Sequence, residues 1–468
     1  SIDVGGKLMT VPNLFSLANV EPASGKRDQG YLRTRNVAFF ASAELGWKNM
    51  LYLSATGRCD WASQLVSNGD TPCIFYPSIG LSGIISEMVK LPEFISYLKL
   101  RTSYTEVGSP ITQTGITPGT VTDPMSGGVI NPISTYPYPD FKPERTKSYE
   151  VGINARFLNG RISFDGTFYQ SNTYNQTFLS VMSPATGYSG FYVQAGNVRN
   201  RGVEMTLGYN DTFGKVNYST HLTYTANQNK IVEMVHDYRN PIDNSLVNIT
   251  ELTLKEVGDV YLREGYSMSD VFTTGILQRG RDGKLVEEGN GYQVDRSQRI
   301  RLGSADPDFT MGWRHDINYK NISLGLMITG RFGGIVTSQT QAFMDAFGVS
   351  KVSAEARDNG GVMLDGHRYD AERYYNTVGG QGLMSYYTYD ATNVRLQELS
   401  LTYSLPKKWL GDVFNNATIS FVGRNLFMFY RKAPFDPDMN GSTGTYNRSD
   451  FFMAPSLRNL GFSIKFSL

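Results

Sequence analysis

Residues 149–168 read Tyr-Glu-Val-Gly-Ile-Asn-Ala-Arg-Phe-Leu-Asn-Gly-Arg-Ile-Ser-Phe-Asp-Gly-Thr-Phe, and the fold is decided in them. The odd positions Tyr149, Val151, Ile153, Ala155 and Phe157 are apolar, or in one case small, with Glu150, Gly152, Asn154 and Arg156 between them. Successive side chains of a strand point to opposite faces, so this segment has one apolar and one polar face. Asn159-Gly160 follows, a pair that accepts the positive φ of a tight hairpin. The alternation then resumes, with Ile162, Phe164, Gly166 and Phe168 set against Ser163, Asp165 and Thr167. A slip of one residue would exchange every side chain between faces, so so regular a pattern implies two very different surroundings.

Working outward, the pattern recurs in Val203-Met205-Leu207-Tyr209 as spaced positions, then in Val216-Tyr218-Thr220-Leu222-Tyr224 and Phe309-Met311-Trp313. It returns in Ile322-Leu324-Leu326-Ile328, Leu399-Leu401-Tyr403-Leu405 and Phe462-Ile464-Phe466-Leu468. Such segments predict about 13 strands. They fall near 36–47, 50–58, 73–86, 97–107, 146–157, 161–171, 200–210, 215–228, 308–319, 322–333, 391–405, 417–430 and 457–468. The connections alternate in length. Lys48-Asn49, 87–96, Asn159-Gly160, 211–214, Lys320-Asn321 and 406–416 are short, whereas 59–72, 108–145, 172–199, 229–307, 334–390 and 431–456 are longer. Short periplasmic turns with long extracellular loops are the topology of an outer-membrane barrel.

The fold expected is therefore all-β, a transmembrane antiparallel β-barrel over residues 36–468, with residues 1–35 as the outer-loop tail of a preceding strand. The last strand is expected to run inward and to leave the C-terminus in the periplasm. An odd number of strands leaves open edges, which lipid does not tolerate, so either a further strand lies unrecognised, for instance inside 229–307, or, as residues 1–35 favour, the chain begins partway through a barrel. The N-terminal Ser-Ile-Asp-Val-Gly-Gly lacks the charged and apolar regions of a signal peptide, which fits a mature or internal start.

Composition agrees. Aromatic residues reach 13% and charged residues only 19%, yet mean hydropathy is −0.30. A helical membrane protein would carry apolar runs of about 20 residues, which this sequence lacks. A barrel with a polar lumen has the average hydropathy of a soluble protein. The net charge of +1 gives no support for a nucleic-acid partner.

Several segments then resemble a known family. Phe75-Tyr76-Pro77-Ser78-Ile79-Gly80 with Ile85-Ser86-Glu87 is similar to the FYPS(V/I)G…SE segment of SusC/RagA-type TonB-dependent transporters. Leu98-Lys99-Leu100-Arg101-Thr102-Ser103-Tyr104, Pro143-Glu144-Arg145-Thr146 through Glu150-Val151-Gly152, and Asn197-Val198-Arg199-Asn200-Arg201-Gly202-Val203-Glu204 resemble further motifs of that family. Val394 to Leu401, Arg424-Asn425-Leu426-Phe427 and Phe435-Asp436-Pro437-Asp438 continue in the family's order. The terminal Leu468 departs from the terminal aromatic that barrels favour, with Phe466 two positions earlier on the same face. The resemblance covers the C-terminal barrel portion and implies about 13–14 of a total of about 22 strands around a plugged lumen. It further implies a SusD-like surface lipoprotein as lid, TonB acting on a plug outside this chain, and an oligosaccharide or peptide ligand. The rival readings are a passive porin-like channel and an outer-membrane adhesin or scaffold.

Nothing in the sequence points to catalysis or a cofactor. His221, His236, His315 and His367 are scattered without metal-ligand spacing, and His221 is expected to hydrogen-bond on the polar face. Asp436-Pro437-Asp438-Met439-Asn440-Gly441 starts like a calcium loop, but its twelfth position is Asn447 rather than Glu, so a loop turn is expected and no metal site. Gly379-Gly380-Gln381-Gly382 sits in a long loop and is not read as a phosphate cradle. Cys59 and Cys73 flank one loop and are candidates for a disulfide, with two free thiols as the alternative. The candidate ligand contacts are the loop aromatics Tyr136, Tyr138, Tyr386, Tyr387 and Tyr389, suited to stacking on sugar rings or peptide side chains; packing between loops is the plainer role for them.

Overall fold

The computed structural model describes residues 2–5, 7, 11, 13–16, 19–21, 26–29, 35–63, 73–109, 120–123, 129–132, 135–136, 142–181, 183, 185, 187–239, 246–254, 260–410, 414–438 and 449–467. Alternation has the consequence the sequence predicts. Thirteen strands pair in chain order, each antiparallel to the next. They are β1 (Asn36–Trp47), β2 (Leu51–Ala62), β3 (Ile74–Ile84), β4 (Ile95–Ser109), β5 (Glu144–Phe157), β6 (Ile162–Val181) and β7 (Gly190–Phe213). The series continues with β8 (Val216–Glu233), β9 (Phe309–Tyr319), β10 (Ile322–Phe332), β11 (Asn393–Ser404), β12 (Asn416–Arg431) and β13 (Asn459–Ser467).

Register places the two faces. Val151 stands opposite Phe168, and Phe168 opposite Val203, so the apolar positions of β5, β6 and β7 share one face. That face is open to the surroundings: Val151 is 58% exposed and Phe462 on β13 is 68% exposed. Water would penalise such a surface, whereas lipid does not. One end of the sheet carries tight turns. Lys48 and Asn49 have φ of 49° and 56°, and Leu158, Asn159 and Gly160 have φ of 52°, 55° and 84°. Gly214 and Lys320 open two further hairpins with φ of 62° and 52°. Positive φ matches the twist of the flanking strands, which is why turns of two to four residues suffice here.

Two corrections concern the other end. Residues 172–199, expected as a long loop, are largely strand: β6 and β7 stay paired from Ile162↔Tyr209 to Val181↔Gly190. A tilted membrane strand needs only about 9–11 residues, so this hairpin projects well past the apolar band. Beyond Phe168 lipid no longer sets one face apart from the other, and Phe178, Val193 and Val198 pack into a core of the cap, so the alternation that marked the strand fades. The connections 229–307 and 334–390 are also not featureless. They carry a hairpin of Asp270–Leu277 with Val294–Ser304, and helices α1 (Gln339–Ala346), α2 (Lys351–Asp358) and α3 (Ala371–Val378). Ser338, Ser350 and Asp370 cap these helices by accepting from the backbone N–H of Gln341, Ser353 and Arg373. Around α3 a core gathers Leu277, Tyr292, Tyr374, Tyr375, Leu383 and Tyr387, and a second core holds Phe178, Val198, Ile231, Met234 and Leu262. The long-loop end is thus a folded cap.

Candidate ligand-binding site

The polar face of the sheet is built from interleaved charges. Arg101 on β4 reaches across β5 to Asp165 on β6 at 2.7 Å and donates to Thr167 Oγ1 at 2.5 Å. It can do so because Gly152 stands between them in the ladder; a Cβ there would lie 2.5 Å from Arg101 Nε. Asn154 donates to the same Asp165 carboxylate at 2.7 Å. Farther round, Arg314 pairs with Asp316 at 2.8 Å and approaches Glu398 at 3.9 Å, and Arg424 pairs with Glu398 at 3.1 Å. His221 lies opposite Arg314 on this face, its Nε2 3.2 Å from Ser219 Oγ. Cations and anions alternate, so the face carries no strong field of one sign.

At the cap end, a cavity of about 800 Å³ opens among the hairpin Asp270–Leu277, α1 and the stretch Gly379 to Gly382. Tyr261, Phe272, Arg296, Arg299, Gln339 and Gln381 line it. The Arg299 guanidinium lies 4.1 Å from the centre of the Tyr261 ring, and Phe272 meets that ring edge-on at 5.1 Å. Arg296 reaches the Gln381 carbonyl at 3.4 Å. Aromatic faces beside guanidinium and amide groups can hold a polar ligand by stacking and directed hydrogen bonds.

The sequence-predicted aromatics fall elsewhere. Tyr138 and the side chain of Tyr136 lie outside the described residues; the Tyr136 backbone pairs with Phe191. Tyr386 uses its hydroxyl to accept from the Leu277 N–H at 3.1 Å. Tyr387 is 3% exposed, and burial together with the nearby Asp345 carboxylate pushes its phenol above the ordinary range. Tyr389 packs edge-on against Phe435 at 5.5 Å, and burial raises its phenol to about 12. In this structure these three rings pack the cap beside the cavity, and Tyr387 presents no face to a ligand. Tyr261 and Phe272 escaped the sequence reading because they sit on short strands inside a long connection, where no period singles them out.

Asp436 and Asp438 are engaged with buried Arg395 at 2.9 and 2.7 Å. Burial pushes the Asp436 carboxyl up, but Ser456 and Arg395 donate to it and bring it below the usual range. These carboxylates tie the β12–β13 connection to β11, and Asn447 lies outside the described residues. Cys59 and Cys73 have Cα atoms 5.6 Å apart, within the span of a disulfide, with their sulfurs at bonding distance.

Residues 8–329 match the family model described as TonB dependent receptor-like, beta-barrel. TonB-dependent receptor P3 of Formosa agariphila is 25% identical over 97% of this chain and 48% of its own length. TonB-dependent receptor SusC of Bacteroides thetaiotaomicron is 23% identical over 95% of this chain and 45% of its own. The chain thus spans about half the length of the curated relatives it matches. In fold, it superimposes on the RagAB peptide importer in its open-open state with a TM-score of 0.74, covering 99% of this chain and 50% of that one at 18% identity. The SusC/RagA-type resemblance carried by the motifs agrees with these relatives, whose family consists of receptors and transporters of the outer membrane rather than enzymes. The chain belongs to the TonB-dependent receptor-like β-barrel family.

Proposed function

We propose that this chain is the barrel-wall portion of a SusC/RagA-type TonB-dependent importer that takes up oligosaccharides or oligopeptides across the outer membrane. The observation that carries the reading is a wall with an apolar outer face and a mixed-charge polar face, roofed at one end by folded loops around a cavity of about 800 Å³. A passage lined by alternating charges offers hydrogen bonds to uncharged or zwitterionic solutes without trapping either ion. The capped end faces outward, and β13 ends in the periplasm, because outer-membrane barrels keep their short turns inside. Among the described residues β1 and β13 each have a strand neighbour on one side only. Open edges are not tolerated in lipid, so further strands complete a wall of about 22.

The lid is a SusD-like surface lipoprotein. Phe343, Phe347, Val349, Val352, Phe451 and Phe452 are all exposed on the cap, with Phe343 5.8 Å from Phe452 between ring centres. An apolar patch of this kind at a watery end fits a protein partner. TonB acts on a plug held by the rest of the assembly, and outer-membrane lipid surrounds the wall.

Native mass analysis of the detergent-extracted complex tests this, combined with uptake of labelled oligosaccharides and peptides by cells with and without functional TonB. The expected result is an assembly containing a plug-bearing portion and a lipoprotein, with uptake lost when TonB is absent. A lone closed barrel giving steady conductance in a planar bilayer would overturn it in favour of a passive channel.

A further inference from the structure

Two adjacent rows of the ladder mark where the apolar outer face of the wall ends. The first row runs Tyr104, Tyr149, Gln170, Arg201 and Gln228 across β4 to β8. The next row toward the cap runs Glu106, Lys147, Asn172, Arg199 and Lys230. By alternation these residues share the face of Val151, Phe168 and Val203. The two ends of the second row differ. At one end Glu106 neutralises its neighbours, 3.2 Å from Arg145 and 3.7 Å from Lys147. At the other, Arg199 and Lys230 stand side by side, and Arg263 joins them at the rim of a cavity of about 540 Å³ lined also by Val232 and Thr250. Among the described residues, none of these three cations forms an ion pair with a carboxylate. The one carboxylate in the lining, Glu264, is bound to His236 at 2.9 Å and accepts from the Met234 N–H at 3.3 Å.

The position of this cavity selects its occupant. Arg201 and Arg199 lie two and four residues beyond Val203. At about 3.3 Å per residue and a tilt of about 40°, that is roughly 5 and 10 Å past the apolar band. The headgroup layer occupies about the first 5–7 Å there, so Arg201 lies within it and the cavity, beginning at Arg199 and Lys230, opens just above it, a long side chain's reach from its phosphates. We propose that Arg199, Lys230 and Arg263 form a seat for the phosphate of an anionic outer-leaflet lipid, its acyl chains lying along the apolar face below. Three cations lining one cavity suit a phosphate, which guanidinium and ammonium groups bind by charge-assisted hydrogen bonds. The inference rests on the membrane-spanning family and on the outward placement of the cap, not on the identity of the cargo.

The test uses the intact complex, extracted in mild detergent, with lipids counted per barrel by mass spectrometry after exhaustive exchange. Wild type is expected to keep a phosphate-bearing lipid, and so is Arg199→Lys/Arg263→Lys, which preserves charge. Each basic residue at a charged lipid surface is worth about five-fold in affinity, so Arg199→Gln/Lys230→Gln/Arg263→Gln should lose retention roughly hundred-fold. Arg145→Gln/Lys147→Gln, at the neutralised end, should leave it unchanged. Heat-modifiable gel mobility reports folding; should the triple variant fail it, Lys230→Gln alone must lower retention about five-fold. Equal retention in the folded variants overturns the proposal. So does displacement by millimolar inorganic phosphate, which would mark a free-phosphate site, or loss of a protein subunit instead of lipid, which would mark a protein interface. Uptake is measured separately, so a failed transport reading would leave the lipid count interpretable.

Discussion

Phe462 in the wall is 68% exposed, and Leu383 in the cap is fully buried, although both are large apolar side chains of one chain. The wall is solvated by lipid on one face and water on the other, so its apolar residues belong outside. The cap is surrounded by water and must hide the same residues around a core of its own. A single rule of burial therefore gives opposite placements, and substitutions should fail in opposite ways in the two regions.

The largest effect is expected where cap and wall are joined. Arg395 on β11 is buried against Asp436 and Asp438. Arg395→Gln leaves Asp436 without its cation and Asp438 with only Arg331 at 4.0 Å, and should cost about 3–5 kcal/mol. Chaotrope unfolding followed by fluorescence of the cap would measure it, and adding Asp436→Asn and Asp438→Asn should restore part of the loss. If the single variant unfolds like wild type, the junction is not held by this network. Next comes the cap core itself. Leu383→Ala should cost about 2–5 kcal/mol and open the cap to protease while the wall keeps its resistance to dodecyl sulfate.

The wall inverts that outcome. Met205 sits on the outer face in the middle row, opposite Gly166 and Tyr224. Met205→Arg should cost about 2–4 kcal/mol of folding into lipid vesicles. Thr225→Arg, two positions from Asn227 on the polar face and opposite Glu204, should change stability by less than about 0.5 kcal/mol. Equal costs at the two positions would mean that the faces are misassigned. A smaller effect is expected at Cys59 and Cys73, where a disulfide closing a loop of about 15 residues contributes at most about 3 kcal/mol. Non-reducing peptide mapping should recover the two cysteines in one linked fragment; free thiols at both would remove the bond.

The same contrast explains what sequence reading could reach. β1 to β13 were recoverable because lipid and water impose a strict period of two, and each of the thirteen segments drawn from alternation contains or overlaps an observed strand. The far ends of β6 and β7, beyond Ser171 and before Asn200, were lost because polar residues fall on both faces there and the apolar ones, Phe178, Val193 and Val198, serve a core of the cap rather than lipid. The cap was unreadable for a different reason. Most of its strands have eight residues or fewer and its helices eight, and the eleven-residue strand Val294–Ser304 pairs through two bulges, so no clear period emerges. Tyr386, Tyr387 and Tyr389 looked like ligand contacts because aromatic density in a loop is the same whether rings face solvent or a core. The pairing of Arg395 with Asp436 joins residues far apart in sequence, so no local spacing betrays it.

The smallest effect lies at the cap's wet surface, where charges are exposed and screened. His236 Nε2 is 2.9 Å from Glu264, outside the apolar band, and this hydrogen bond to the carboxylate raises the imidazole above its usual range. The same contact holds the Glu264 carboxyl below its usual range. The signs follow. A raised histidine stabilises most below its unfolded value of about 6.5, and that contribution is lost as pH rises through the folded value. A depressed carboxyl stabilises above its unfolded value of about 4.3 and loses its contribution as pH falls through the folded one. The pair therefore supports the cap between these limits, weakly because both groups are open to water. Titration of His236 by nuclear magnetic resonance in wild type and Glu264→Gln should show a lower midpoint in the variant. An unchanged midpoint would mean that Glu264 does not hold the imidazolium, leaving its carboxylate free to oppose the anion expected in the neighbouring Arg199–Lys230–Arg263 cavity.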